Sequence, residues 1–260
     1  MTGLENLLSA YNGTAPGTTI HSVIQNILKN LDTVNSMTIY ELAEACYTSP
    51  AGISRLVKKL GYKNYSYFQK GLTDCISKYE HHNRLMPLDR IPGDTELPDY
   101  FMDTLGGLLE NMRKKLDKEK IRELAGAIHD SLRIGIYSYS TYLAETFLQS
   151  DIFMSGKVCD IIQQEKDIME DAGQLGSRDF IIMLSPNCIN GTMTGRIIDL
   201  IHKNGARVCI ITDSYHLPGL KLADISFVFE GVMHSMDMLV LQTFLCIVDL
   251  EYRRLYIDQM

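Results

Sequence analysis

Apolar residues recur at helical spacing in two short segments between Met37 and Tyr62. They are Ile39, Leu42, Ala43 and Cys46 in the first segment and Ile53, Leu56, Val57 and Leu60 in the second. This spacing predicts two helices, each with one apolar face. Ser49 and Pro50 mark the start of the second helix, because a serine oxygen accepts the free N–H groups of a first turn and proline is tolerated there. Gly61 marks its end, so the segment is predicted to be two helices around a tight turn.

The apolar pattern predicts further helices on both sides of this pair. They are Gly3–Tyr11, a segment that Thr18 or Thr19 caps and that runs to Leu31, and Asn64–Ser77. In the last of these, Tyr65 and Tyr67 either pack inward or touch phosphates, and aromatic residues at helical spacing favour packing. We therefore expect an all-α domain over residues 1–80.

Residues 81–98 have the composition of a linker. This stretch holds three prolines and one glycine, which favour extended or turning backbone. It also holds the pair His81 and His82, but no second cluster of ligands lies at metal-binding spacing. We therefore expect an exposed histidine pair rather than a metal site.

After residue 98 the pattern changes to apolar runs of strand length that alternate with helical segments. Two helices, Tyr100–Lys115 and Lys118–Ser131, come first. The predicted strands are Leu132–Tyr137, Lys157–Ile162, Asp179–Leu184, Arg207–Thr212 and Ile225–Phe229. This alternation predicts an α/β domain over residues 99–260, with a five-stranded parallel sheet covered by helices on both faces. Ligands of such sheets bind at the carboxyl ends of the strands.

The last predicted helix, Met233–Tyr256, is apolar on more than one face. One domain rarely buries so much apolar helix surface, so we expect part of it to contact a partner subunit in a homodimer or a larger oligomer. The alternative is a helix buried entirely within its own domain.

Charge is distributed unevenly along the chain. The 260 residues carry a net charge of −7, but residues 1–85 hold 8 Lys and Arg against 6 Asp and Glu, while the remainder holds 17 against 26. Between Ala45 and Thr73 there is no acidic residue, whereas five Lys or Arg residues lie there. Because phosphate contacts supply much of the affinity for DNA, this window predicts that the second helix of the pair enters the major groove of double-stranded DNA. The competing interpretation is a helical hairpin with a solvated charged face.

The cysteines and the apolar runs limit the class of protein further. The six cysteines, at positions 46, 75, 159, 188, 209 and 246, lack the close pairs of a zinc site, and most lie in apolar runs where free cysteine packs as a small hydrophobic residue. We therefore predict a reduced, cytoplasmic protein with no metal site and no cofactor. The N-terminal segment lacks the pattern of a signal peptide, and no run approaches the ~20 apolar residues of a membrane span, so no membrane contact is expected.

The residues around the helix pair are similar to a known family. The runs that carry the similarity are Ile39-Tyr40-Glu41-Leu42-Ala43, Ser49-Pro50-Ala51-Gly52-Ile53-Ser54-Arg55-Leu56, Lys59-Leu60-Gly61-Tyr62 and Tyr65 through Phe68. They resemble the DNA-binding domain of the RpiR/MurR-type bacterial transcriptional regulators. The later run Gly205–Asp213 and the order of the predicted elements resemble the second domain of that family, a sugar-isomerase (SIS) domain that senses phosphosugars. The resemblance covers nearly the whole chain.

The resemblance implies DNA-binding roles for residues of the second helix and the turn after it. The side chains that fall where the family's recognition helix faces bases and phosphates are Ser49, Ser54, Arg55 and Lys58. Arg55 is the expected base reader, because its guanidinium matches O6 and N7 of guanine. Lys59 and Lys63 are expected to contact phosphates, which position the protein without specifying sequence.

The resemblance also implies an effector site made by two loops. The first corresponds to the family's G-x-G-x-S but reads Ile136-Tyr137-Ser138-Tyr139-Ser140 here, so both glycines are absent. The second, S-x-S-G-x-T in the family, corresponds to a longer run from Ser185 to Thr192, in which Ser185 fits the first serine. The expected effector-binding residues are Ser138, Ser140, Ser185, Asn187 and Thr192. Because glycine lets backbone N–H groups approach a phosphate, its absence leaves two alternatives open: a phosphosugar-like effector, or an altered or lost one.

An enzyme is the main competing function. Glu230 and His234 follow the last predicted strand, where a carboxylate and an imidazole one turn apart could move a proton in a sugar-phosphate isomerase. The alternative is that Glu230 interacts with a helix N-terminus and that His234 lies on the surface. A third possibility is a dimeric interaction module that has lost ligand sensing. We predict a transcriptional regulator of sugar metabolism genes that is not an enzyme, in which the effector changes the affinity of a homodimer for a palindromic or repeated operator.

Overall fold

A computed structural model describes residues 3–82, 85–86, 88, 91–138, 143–185, 191–230 and 236–258. The chain divides into two compact units, Met1–Asn83 and Arg84–Met260. The first unit has one cluster of buried apolar side chains, and the second has two clusters, which lie on opposite faces of its sheet.

The first unit is helical throughout its described part. Its helices are α1 (Gly3–Asn12), α2 (Thr19–Lys29), α3 (Leu31–Val34), α4 (Ile39–Ala45), α5 (Pro50–Lys59) and α6 (Tyr65–His82). The segment expected to run as one helix to Leu31 is in fact two helices, which are separated at Asn30. Leu42 of α4 and Ile53 of α5 are fully buried in the shared core. The predicted helix pair is therefore confirmed, with both apolar faces turned inward.

Side-chain caps fix where the two helices of the pair begin. The Thr38 hydroxyl accepts a hydrogen bond from the Glu41 backbone N–H, and the Glu41 carboxylate accepts one from the Thr38 N–H at 2.6 Å. This capping box satisfies two N–H groups at the start of α4. At the start of α5 the Ser49 hydroxyl oxygen accepts from the Gly52 N–H at 3.1 Å. The start of α5 was predicted from Ser49 and Pro50, and threonine is likewise a common cap residue at the start of α4.

The second unit alternates helices and strands. Its elements are α7 (Leu97–Lys115), α8 (Lys118–Asp130), β1 (Arg133–Tyr137), α9 (Leu143–Met154), β2 (Val158–Ile162), α10 (Glu165–Ala172), β3 (Asp179–Ser185), α11 (Gly191–Lys203), β4 (Arg207–Thr212), β5 (Ile225–Val228) and α12 (Met236–Tyr256). In the described part of the chain the five strands form one parallel sheet in the order β2-β1-β3-β4-β5. The predicted α/β class is confirmed.

Helices cover both faces of this sheet. Along β3, Ile182 and Leu184 pack in the cluster that includes α8, α9 and α12, whereas Ile181 and Met183 pack in the cluster that includes α10 and α11. This alternation explains why the strand is apolar throughout, since both sides of it are buried.

The strand order reverses between β1 and β3. These two strands are neighbours, with Tyr137 opposite Met183. After β1 the chain forms β2 at one edge of the sheet, whereas after β3 it forms β4 and then β5 towards the other edge. The loops after β1 and β3 therefore start side by side at the carboxyl edge, which is where open α/β sheets bind ligands.

The segment expected to be a linker is shorter than its composition suggested. His81 and His82 lie in the last turn of α6, and Leu97 and Pro98 begin α7. Proline is compatible with helix there because it stands in the first turn, where no N–H partner is needed. Within the described residues, no helix is long and apolar enough to cross a membrane.

Candidate DNA-binding and effector sites

The surface of α5 is divided into an apolar and a basic face. Ile53, Leu56 and Val57 are buried, whereas Arg55, Lys58 and Lys59 are exposed. Lys58 and Lys59 lie three and four residues after Arg55, so the three basic side chains project from the same side of the helix. Of the other predicted DNA contacts, Ser49 and Lys63 are exposed, at the start of α5 and beyond its end, and Ser54 is half-buried. The fold thus brings all six predicted residues to one helix and the turn that follows it.

A groove of about 370 Å³ separates α2 from α5, and Thr19, Ile20, Arg55 and Lys59 line it. Gly52 lies in the same wall, where an added Cβ would be 2.5 Å from the Thr48 hydroxyl oxygen. A larger residue at position 52 would push the Thr48 side chain away from the start of α5. Glycine at this position therefore keeps the turn packed closely against the basic helix.

Tyr65 and Tyr67 have different surroundings, although they are two residues apart. The Tyr65 hydroxyl donates to the Met37 carbonyl at 2.9 Å, and burial raises the pKa of Tyr65 to about 12. Tyr67 is 56% exposed, and the Lys63 ammonium lies 5.9 Å from the centre of its ring. Tyr65 thus anchors α6 to the segment before α4, whereas Tyr67 and Lys63 lie together at the surface.

The first predicted effector loop begins with a buried hydrogen bond. Ser138 follows β1, and its hydroxyl donates to the Glu145 carboxylate of α9 at 2.7 Å. Glu145 is fully buried, and the Gln242 side-chain amide of α12 lies 3.4 Å from the same oxygen. A buried carboxylate is tolerated only with such polar partners. Ser140, the other predicted residue of this loop, lies outside the described residues.

The second predicted loop begins with a buried serine at the end of β3. Within the described chain, the Ser185 hydroxyl oxygen has no hydrogen-bond partner, while the Ser185 carbonyl accepts from the Thr212 hydroxyl at 2.6 Å. Leu184 packs on the α9 and α12 side, so Ser185 turns towards α10 and α11. Thr192 is exposed in the first turn of α11, and Asn187 lies outside the described residues. A ligand that touched both Ser138 and Ser185 would have to lie across the sheet edge.

Sequence reasoning missed Glu145 and Gln242 at this edge. Glu145 and Thr146 lie between the apolar pairs Leu143-Ala144 and Phe147-Leu148, so the position of a carboxylate in an apolar stretch of α9 was the available signal. Gln242 carried no signal, because it reaches the site only through the packing of α12 against α9. A carboxylate at the first loop matters chemically, because it repels an anion and attracts hydroxyl or amino groups.

Of the two groups considered for catalysis, the structure describes Glu230, which forms an ion pair at the surface. The Glu230 carboxylate is 3.6 Å from the Lys115 ammonium at the surface, and His234 lies outside the described residues. Throughout the described chain, no cluster of three or more His, Cys, Asp or Glu side chains could hold a metal ion. The free thiols of Cys46 and Cys159 are buried, which raises the pKa of Cys46 to about 11 and that of Cys159 to about 12. Such thiols are packing groups rather than nucleophiles.

The two units resemble known proteins in sequence. Residues 1–79 match the family model described as the helix-turn-helix domain of the rpiR family. The HTH-type transcriptional regulator RpiR of Escherichia coli K12 is 24% identical over 207 residues, which are 78% of this chain and 68% of that protein. An HTH-type transcriptional regulator of Haemophilus influenzae is 21% identical over 206 residues, covering 78% of this chain and 71% of that protein.

Solved structures share the fold. The Vibrio vulnificus NanR protein, complexed with ManNAc-6P, has a TM-score of 0.52 and 18% identity, covering 98% of this chain and 92% of that one. The sugar isomerase domain of an RpiR transcription factor from Sphaerobacter thermophilus has a TM-score of 0.50 and 17% identity, covering 64% of this chain and all of that one.

The chain thus combines a helix-turn-helix unit with a unit that has the fold of a sugar isomerase domain, and the proteins it aligns with are transcriptional regulators. Residues 1–79 thus carry the helix-turn-helix domain of the rpiR family, and 78% of the chain aligns with the RpiR regulator of E. coli. The predicted family is thereby confirmed, and so is the prediction of a DNA-binding regulator rather than an enzyme, since the relatives are named as transcriptional regulators.

Proposed function

We propose that α5 is the recognition helix and that its basic face reads an operator in double-stranded DNA. Ser49, Ser54, Arg55 and Lys58 face the major groove, with Arg55 on a guanine edge, and Lys59 and Lys63 contact phosphates. The observation that carries this proposal is the exposed basic face of α5 within a window that has no acidic residue. A single carboxylate there would repel the DNA backbone.

The effector site in this proposal is the carboxyl edge between β1 and β3. A phosphosugar-like ligand is held by Ser138, Ser140, Ser185, Asn187 and Thr192, and the N-terminus of the 13-residue helix α11 favours its anionic group. The buried Ser185 hydroxyl, which has no hydrogen-bond partner among the described residues, supports a polar ligand at this edge, as does the ManNAc-6P bound by NanR. The genes controlled are then those of sugar metabolism, in the cytoplasm where the operator is.

The second unit also supplies the contact between two subunits in this proposal. Helices α9 and α12 lie side by side, joined by hydrogen bonds between Asp151 and Arg253 at 2.9 Å and between Ser155 and Tyr252 at 2.6 Å. Their outward residues include large exposed apolar side chains: Leu143, Phe147 and Met154 on α9, and Leu239 and Leu250 on α12. Such a stripe fits a homodimer interface. In this proposal the unit that ends with α6 binds DNA, the residues between α6 and α7 link the two units, and the unit from α7 onwards binds the effector and forms the dimer.

Binding to the DNA upstream of the protein's own gene tests the central claim. Arg55→Ala is expected to weaken binding about tenfold or more, with a smaller loss on an unrelated duplex of equal length, because a base contact is lost. Lys58→Ala is expected to weaken binding as well. Lys29→Ala is the matched control, since Lys29 is exposed in the same unit but lies outside the acid-free window. Equal binding by wild type, Arg55→Ala and Lys58→Ala would reject α5 as the recognition helix.

A further inference from the structure

Helices α4, α5, α9 and α11 end in the same hydrogen-bonded cap. At the end of α5, the Gly61 N–H donates to the Lys58 carbonyl at 3.0 Å, and the N–H of the next residue donates to the Val57 carbonyl at 3.1 Å. At the end of α4, the Tyr47 N–H donates to the Glu44 carbonyl at 3.0 Å, and the next N–H donates to the Ala43 carbonyl at 2.9 Å. This is the Schellman motif, which requires a left-handed residue at its centre.

Three of these caps use glycine at the left-handed position, and α4 uses tyrosine. Gly61, Gly156 and Gly205 have φ angles of +87°, +80° and +77°, and Tyr47 has +52°. Among the residues that the structure describes, Tyr47 is the one non-glycine residue with positive φ. Left-handed backbone is unfavourable for a residue with a Cβ, so the tyrosine weakens a cap that glycine would form without strain.

The Tyr47 side chain does not offset this strain by packing against the folded unit. It is 90% exposed, which makes it the most exposed of the large apolar side chains in the described chain. A strained backbone under a side chain without packing contacts points to a role outside the folded unit. The position of Tyr47 indicates which role, because it stands two residues before Ser49, the cap of α5.

The docking geometry of helix-turn-helix domains brings this turn to the DNA backbone. The N-terminal residues of the recognition helix enter the major groove, while the preceding helix crosses the phosphates. A side chain in the turn between them therefore meets the edge of the groove. We propose that Tyr47 contacts the DNA backbone and that its hydroxyl donates a hydrogen bond to a phosphate group of the operator DNA. The inference rests on the proposed role of α5.

Two variants separate this contact from the basic ones. Tyr47→Phe removes the hydroxyl, and Tyr47→Gly removes the side chain and relaxes the cap. Both are expected to weaken binding about three- to tenfold, on the upstream DNA and on an unrelated duplex alike, because a phosphate contact carries no sequence information. The slope of log affinity against log salt stays unchanged for both, since tyrosine releases no counterion, whereas Lys59→Ala lowers it by about one. Tyr47→Gly is also expected to raise the urea midpoint of unfolding.

Fluorescence anisotropy with both duplexes measures these outcomes, with Tyr215→Phe as the control for an exposed tyrosine of the second unit. Binding by both Tyr47 variants within twofold of wild type, while Arg55→Ala is impaired, would overturn the inference and leave the proposed function intact. A loss on the upstream DNA only would indicate a base contact and would also overturn it, as would a lower urea midpoint for Tyr47→Gly. If wild type shows no salt-dependent binding to either duplex, the proposed function fails and the inference with it.

Discussion

The Ser138 hydroxyl donates a 2.7 Å hydrogen bond to the buried carboxylate of Glu145, at the edge of the sheet where β1 ends. This bond holds the Glu145 carboxylate beside the first loop, which lacks glycines that would let backbone N–H groups approach an anion. The hydroxyl of Ser138 is already engaged, so it can serve an effector only as an acceptor or after rearrangement. At the proposed effector site, we therefore expect Glu145 to select among effectors by charge.

Glu145→Gln is expected to tighten the binding of phosphosugars about tenfold. The amide retains an oxygen for Ser138 but removes the carboxylate that would repel an anionic ligand, and a tenfold change in affinity corresponds to about 1.4 kcal/mol. Calorimetric titration with ManNAc-6P and other hexose 6-phosphates measures the change. Glu170→Gln, at an exposed position of α10, is the control for a change of net charge alone. Weaker binding by Glu145→Gln would show instead that the carboxylate itself accepts a hydroxyl group of the ligand.

The proposed dimer face makes a second prediction. Phe147→Glu and Leu250→Glu each place a charge in the exposed apolar stripe of α9 and α12. In a two-fold interface every substitution occurs twice, and burying one large apolar side chain contributes roughly 1.5–3 kcal/mol. The dissociation constant is therefore expected to rise at least about a hundredfold. Light scattering during gel filtration measures the mass, and Leu132→Glu, an exposed apolar position before β1, is the control. An unchanged mass for both variants would place the subunit contact elsewhere.

Some features of the fold were predictable from the sequence, and others were not. Strand β4 has the predicted bounds, Arg207–Thr212, because an apolar run between polar residues is a local signal. The partnership of Glu145 with Gln242 is not local, since 97 residues separate them and only the packing of α12 on α9 joins them. Periodicity likewise placed Tyr65 and Tyr67 on one helix but could not say that the Tyr65 hydroxyl reaches the Met37 carbonyl.

The left-handed backbone of Tyr47 before α5 was also unpredictable, because it depends on packing rather than on the local sequence. A tight turn was predictable from the helix spacing, but nothing in the run Cys46-Tyr47-Thr48 indicated a left-handed tyrosine. The conformation follows from where α4 ends, which depends on which residues pack in the core. Local propensity would have placed glycine there.

A buried pair of carboxyl groups makes stability depend on pH. Burial and the neighbouring charge of Asp151 raise the pKa of Asp249 to about 6, although Arg253 opposes the shift. The folded chain therefore binds more protons than the unfolded chain between about pH 4 and 6, so stability falls as the pH rises through this window and is level above it. Asp249→Asn mimics the protonated form without titrating.

Asp249→Asn is expected to be more stable than wild type at pH 7.5 by about 1–2 kcal/mol, a value below the full shift because solvent screens part of it. The difference should shrink as the pH falls from 6 to 4. Urea unfolding followed by circular dichroism at pH 4.5, 6 and 7.5 measures it, with Glu170→Gln as the exposed control. A difference that stays constant across this range would mean that Asp249 does not titrate within it.

Ser49 combines a structural task with the proposed DNA contact, and two substitutions separate them. Ser49→Ala removes the acceptor for the Gly52 N–H and should cost about 1 kcal/mol of stability. Ser49→Asp keeps an acceptor and adds a charge that favours a helix N-terminus, so its urea midpoint should equal or exceed that of wild type. The same charge faces the DNA backbone, so the affinity for the upstream DNA should fall tenfold or more, most strongly at low salt.

Gln164→Asp is the matched control for Ser49→Asp. Gln164 caps α10 in the second unit without a side-chain hydrogen bond to the helix, so aspartate there adds the same charge and a new cap, and DNA affinity should stay constant. Undiminished DNA binding by Ser49→Asp would remove Ser49 from the interface. A lower urea midpoint for Ser49→Asp than for Ser49→Ala would instead show that the hydroxyl is needed for more than capping, because aspartate satisfies the N–H group and alanine does not.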